Sequence, residues 1–135
     1  MTLDDLVVSA QRLADTSTPA PEGRVHNDLY WITDTGEVVG FMSFRHELND
    51  WLHQYGGHIG YSVRPTRRRR GYARAGLALV LERARELGLD RVLVTCDDDN
   101  VGSYRTIEGA GGVLENTVDA PEPDEPRKRR YWIEL

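Results

Sequence analysis

The stretch from residue 58 to residue 96 leaves little freedom of architecture. A strand is expected over 58–63, ended by Pro65, whose ring removes a ladder donor. Residues 70–87 then set Ala73, Leu77, Val80, Leu81, Ala84 and Leu87 on one stripe at helical period, and Gly88 stops the run. Residues 91–96 follow as a β-branched, buried-looking strand. Strand, helix and strand in this order predict one parallel pair joined by a crossover helix.

The remaining segments add strands around that unit. Residues 28–33 and 38–44 flank Asp34-Thr35-Gly36, a turn signal, and predict a hairpin. Residues 47–55 predict a short helix broken by Gly56 and Gly57. Residues 100–109 predict a second helix with Asn100 as its N-cap. Strands are expected over 111–115 and 130–135, separated by a proline-rich, acidic loop over 120–126. At the start, Leu3, Leu6, Val7, Ala10, Leu13 and Ala14 share a helical face, and 16–23 reads as a linker. The fold class expected is α/β (α+β): a mixed, mostly antiparallel sheet flanked by helices.

A length of 135 residues makes one domain, with 1–27 as N-terminal helix and linker and 28–135 as the sheet core carrying the site. The single cysteine, Cys96, excludes a disulfide framework and reads as a buried apolar residue. The longest aliphatic run, 77–81, is far too short for a membrane span, and the acidic start lacks a signal core. A cytoplasmic location without membrane partners is expected. His46, His53 and His58 lie at spacings that match no helical ligand motif, so no metal site is expected.

Net charge is −5, yet Arg67–Arg70 is an unbroken basic run. It falls where the strand ends and the long helix begins. A helix N-terminus has unpaired N–H groups and about half a positive charge, so it already favours an anion. Gly71 allows close backbone approach and Ala73 is small, while Arg68, Arg69, Arg70 and Arg74 add cationic donors. The residues alone leave three readings: a phosphate or diphosphate site, a solvated basic loop, or a nucleic-acid patch over Arg64–Arg74. The acidic overall balance and Asp97–Asp99 weigh against a polyanionic partner.

The spacing Arg68-x-x-Gly71-x-Ala73 resembles the Q/R-x-x-G-x-G/A signature of the GNAT N-acetyltransferase superfamily. Val63-x-Pro65 before it is similar to the end of the family's fourth strand. Asn100-x-x-Ser103 with Ile107-Glu108-x-x-Gly111 is similar to its next motif. The segments 44–49, 57–65 and 130–133 resemble a subgroup of acetyltransferases with undefined substrates. The resemblance implies an acetyl-CoA-dependent N-acetyltransferase acting by direct attack of a primary amine, its acceptor a small molecule or, less in keeping, a peptide. Arg68, Arg69, Arg70, Gly71, Ala73 and Arg74 would then hold the diphosphate, and Asn100 and Ser103 would lie near the pantetheine arm. Backbone N–H groups near Tyr61 and Val63 would polarise the thioester carbonyl. The other readings are a coenzyme A-binding regulatory module without turnover, or a nucleic-acid binder.

Two departures stand out. Many family members carry a tyrosine seven residues after the motif asparagine; here it is Ile107, which has no proton to give. Tyr104, one turn earlier, becomes the candidate acid. The candidate bases are His58 and Glu47, with His46 and His53 beside them. The family also opens with a strand that 1–27 does not obviously contain. The sheet is therefore expected to lack its N-terminal strand, leaving an edge that favours a homodimer.

Overall fold

The computed structural model describes residues 6–9 and 25–135. A seven-stranded sheet runs in the order β1-β2-β3-β4-β5-β7-β6. Its strands are β1 (Leu6–Ser9), β2 (Asn27–Asp34), β3 (Glu37–Arg45), β4 (Ile59–Val63), β5 (Arg91–Asp97), β6 (Val113–Val118) and β7 (Lys128–Glu134). Among the described residues two α-helices complete it: α1 (Tyr72–Glu86) and α2 (Val101–Gly109). Among the described strands only β4 and β5 pair in parallel, through the crossover α1, as strand-helix-strand order requires.

The N-terminus corrects the sequence reading. Leu6–Ser9 is a strand, antiparallel to β2 with Leu6 opposite Ile32, and not part of a helix. The missing strand is thus present, and it covers the β2 edge that was expected to favour a dimer. Leu6-Val7-Val8 fits a helical stripe and a short strand equally, and pairing with a partner over twenty residues away decides between them. The rest of the expected helix and the linker over 16–23 lie outside the described residues. The helix expected over 47–55 is a π-helical turn, Leu52–Gly56.

The β2–β3 hairpin closes through Thr35 and Gly36, both at positive φ (49° and 83°), the geometry that matches strand twist in a two-residue turn. One sheet face carries Ile32, Met42, Phe44, Ile59, Val92, Val94, Tyr131 and Ile133, each 2% exposed or less. Leu77, Val80, Leu81 and Ala84 of α1 pack into that cluster, as does Ile107 of α2. Burying side chains such as Leu77 and Val80 stabilises by about 1.5–3 kcal/mol each. Leu87 leaves the stripe because α1 ends at Glu86; it is 39% exposed. The opposite face is less covered, with Trp31 and Phe41, paired across β2–β3, 38% and 40% exposed.

Candidate active site

The pairing of β4 with β5 is confined to Ile59 opposite Val94, whereas β5 pairs with β7 along its whole length. Past Ile59 the two strands have no ladder between them. Arg45 N–H donates to His58 O and Arg64 N–H donates to Val39 O, so residues 58, 60, 62 and 64 take the β3 side of the strand. By strand alternation the N–H groups of Tyr61 and Val63 point into the gap toward β5. Unpaired backbone donors at that place are available to a ligand.

A cleft of about 560 Å³ opens beside this gap, within the usual size for a small-molecule site. Its floor is Tyr61 and Val63 of β4, and its far wall is Asn100 and Ser103 at the start of α2. Its mouth is Arg68, Arg69, Gly71, Ala73 and Arg74 at the start of α1. Of the residues expected to bind the cofactor, only Arg70 does not line it; it is exposed beside Arg69.

The mouth fits an anion. Gly71 is the N-cap residue of α1 at φ 84°, no side chain caps the helix, and no acid lies in its first turn. The helix therefore presents its orphan N–H groups and its positive dipole end to the cleft. Arg69 sits at φ 64°, a conformation that costs a non-glycine residue about 1 kcal/mol. The two left-handed residues turn the loop so that its backbone curves around the helix start. Arg68 Nε donates to Val63 O at 3.1 Å and ties the loop to β4. Arg67 is neutralised by Glu37, with Asp34 4.0 Å away. Tyr72 donates its hydroxyl to Asp34. Arg69, Arg70 and Arg74 are exposed, with no carboxylate at ion-pair distance among the described residues. Asp97 and Asp98, by contrast, are paired with Lys128 and Arg129.

At the inner end, Tyr61 OH lies 2.9 Å from Ser103 Oγ, and burial raises the phenol above its usual value. Asn100 Oδ1 accepts the Ser103 N–H at 3.2 Å and caps α2. Burial pushes the Cys96 thiol up to about 11, so it stays protonated. Ile107 is wholly buried in the core.

The candidate acid and bases lie elsewhere. Tyr104 is half-buried under the Arg129 guanidinium, 3.9 Å from its ring centre, and does not line the cleft. Glu47 is exposed in the bend after β3, also outside the cleft. His58 does not suit the role of base expected of it. It is 6% exposed, its Nδ1 accepts the Leu93 N–H at 2.9 Å, and burial, with Arg45 and His53 nearby, lowers it to about 4. It is a neutral structural acceptor that holds β5 against the start of β4. His46 bonds Asp28 at 2.9 Å, and His53 is exposed 6.3 Å from the Trp132 ring. Among the described residues no group of three or more His, Cys, Asp or Glu is arranged to hold a metal. No described helix is long and apolar enough to cross a membrane.

Sequence reasoning missed Ser62, Arg67, Tyr72, Gly102 and Thr106 in the lining. Thr106 was legible: Asn100, Ser103 and Thr106 recur every three residues on one helix face. Arg67 and Tyr72 were not, because what fixes them is the β2–β3 turn more than thirty residues away.

Residues 5–111 match the model of the acetyltransferase (GNAT) family. The chain belongs to that family. Its fold is shared with solved GNAT structures. YncA, a putative acetyltransferase from Salmonella typhimurium solved with acetyl-CoA, has a TM-score of 0.64 at 17% identity, over 81% of this chain and 65% of that one. A GNAT acetyltransferase from Bacillus anthracis has a TM-score of 0.64 at 25% identity, over 82% and 66%. The microcin C7 self-immunity acetyltransferase MccE, solved with acetyl-CoA and AMP, has a TM-score of 0.64 at 20% identity, over 81% and 61%. The chain thus spans roughly two thirds of the length of these GNAT structures. No curated protein matches it.

Proposed function

We propose that this GNAT chain is an acetyl-CoA-dependent N-acetyltransferase, moving the acetyl group to the primary amine of a small molecule by direct attack in a ternary complex. The observation that carries the reading is the uncapped, acid-free N-terminus of α1 opening on the cleft beside the unpaired run of β4. The diphosphate suits the backbone around Arg69 and Gly71, with Arg69 and Arg74 as cationic donors. The arm suits the cleft along Val63 and Asn100, up to the Tyr61–Ser103 pair that closes its inner end.

In the reaction, the amine nitrogen bonds to the thioester carbonyl carbon, the carbon–sulfur bond breaks, the sulfur leaves as thiolate, and the proton lost by the acylated nitrogen ends on it. The Tyr61 and Val63 N–H groups are suited to stabilise charge on the carbonyl oxygen. An alkylammonium with pKa about 10 must first lose a proton. With the His58 Nδ1 lone pair already taken by the Leu93 N–H, a water chain is the route this reading assigns. A thiol with pKa about 8.5 leaves without a strong acid, which is compatible with Ile107. Placement of two reactants in one cleft supplies much of the remaining rate.

The test is calorimetry with acetyl-CoA, followed by thiol release with a panel of amines. Binding that Arg69→Glu weakens at least tenfold, with thiol release above background, is the expected result. Absence of binding overturns the proposal. Binding without release for any amine favours a coenzyme A-binding module. Salt-steep binding of nucleic acid favours the third reading.

A further inference from the structure

The sheet face opposite the cleft carries a guanidinium that no carboxylate of the described residues neutralises. Arg45, the last residue of β3, is partly buried on that face, and its head lies over Gly60 of β4. A Cβ at position 60 would stand 3.1 Å from Nη1, so the glycine makes the room the guanidinium occupies. Its hydrogen bond is to Gly56 O, and a long one, at 3.3 Å. No carboxylate lies at ion-pair distance from it among the described residues. Burial lowers its pKa from the ordinary arginine value.

Arg130 on the same face is a control. It is 3% exposed and fully served, by Glu115, by Asn116 Oδ1 at 2.8 Å and by His53 O at 2.7 Å. A guanidinium removed from water normally acquires such a set, because unpaired buried charge is costly. Among the described residues, the five donors of Arg45 meet one acceptor, Gly56 O. Its place matters too: Gly60 adjoins Tyr61, whose N–H faces the unpaired gap, so Arg45 flanks the route to the thioester from the face away from the cleft.

We propose that Arg45 recognises an anionic group on the acceptor, and that the acceptor is a primary amine that also carries a carboxylate, the amino-acid class. The inference rests on the acetyltransferase reading and adds the substrate class. One planar fork matches one carboxylate bidentately. A dianionic phosphate calls for a second free cation, and Arg130 is already neutralised by Glu115. His58, behind Arg45, is held neutral and adds no charge.

The test uses amino acids, each matched with its own carboxamide and its decarboxylated amine. Thiol release gives kcat/KM, and saturation-transfer NMR in the presence of coenzyme A ranks binding of the same compounds. The acid is expected to be favoured over its amide by about tenfold or more, and Arg45→Gln to bring that ratio close to one while acetyl-CoA affinity holds. Acid and amide used equally, or an Arg45→Gln variant that keeps the preference, overturns the proposal. Should no compound be turned over, the acetyltransferase reading fails as enzyme chemistry, and the NMR ranking with and without Arg45 still decides this one. Should Arg45→Gln lose its fold, Gly60→Ala, which crowds the guanidinium, and Arg45→Lys, which removes the fork, must each lower the ratio; a ratio unchanged in both overturns it.

Discussion

The Tyr61 hydroxyl meets Ser103 Oγ at 2.9 Å and joins β4 to the first turn of α2 across the inner end of the cleft. The residues are 42 positions apart, and the contact exists because β4 and β5 separate past Ile59 and α2 starts where β5 ends. The pair marks the end of the cleft farthest from the arginine loop. Tyr61→Phe removes the bond and keeps the ring. It is expected to cost about 1 kcal/mol of folding stability, read as a lower urea midpoint. Ser103→Ala should behave alike, and the double variant should lose less than the sum.

The two left-handed residues of the loop should respond in opposite directions. Gly71 at φ 84° has nothing within 4 Å of a built Cβ, so Gly71→Ala is strained by conformation alone, and it should lose about 1 kcal/mol in urea unfolding. Arg69→Gly relieves the strain at φ 64° and should gain up to about 1 kcal/mol, while binding acetyl-CoA more weakly. Equal losses of stability in both variants would contradict this account of the loop.

Gly40 is fixed by the adjacent strand. A Cβ there would stand 2.4 Å from Ser62 O, a backbone atom that cannot move without breaking the β3–β4 ladder. Gly40→Ala should cost about 2 kcal/mol or more, read as a lower urea midpoint.

Acid stability should fall in two stages. His58 titrates at about 4 in the folded chain against 6.5 ordinarily, so the unfolded state takes up more protons as pH falls from 6.5 to 4, and stability declines through that window. His58→Asn, which keeps an acceptor for the Leu93 N–H, should flatten that limb in denaturation curves taken at several pH values.

The second stage belongs to Asp28, 5% exposed. Burial alone would raise its carboxyl, but hydrogen bonds from His46, Arg83 and Tyr30 overcome it and hold the group below 3.8. Its contribution is present above 3.8 and lost as pH falls through the lower folded value. Asp28→Ala strands three donors and should destabilise by about 3 kcal/mol at neutral pH, and it should shrink the acid limb below 3.8 by the Asp28 share.

Much of the site was legible because it is local. Arg68, Arg69, Gly71 and Ala73 fall within six positions, and Asn100 and Ser103 within one helical turn, so spacing alone placed them on the strand-to-helix junction and the helix cap. Tyr61 and Val63 were placed by strand alternation and by resemblance. His58 and Glu47 were chosen for their chemistry, and chemistry says nothing of whether a ring is already bonded to a neighbouring strand.

By itself the sequence determined the crossover unit, the hairpin turn at Thr35-Gly36, the Gly88 stop of α1, the Asn100 cap of α2 and the anion-favouring start of α1, because each depends on residues within a few positions of one another. Only the tertiary structure decided that Leu6–Ser9 is a strand, that Arg67 is spent on Glu37, that His58 is neutral and that no carboxylate of the described residues reaches Arg45. Those outcomes depend on which distant groups reach each residue and how much water they exclude, and neither is written in local spacing.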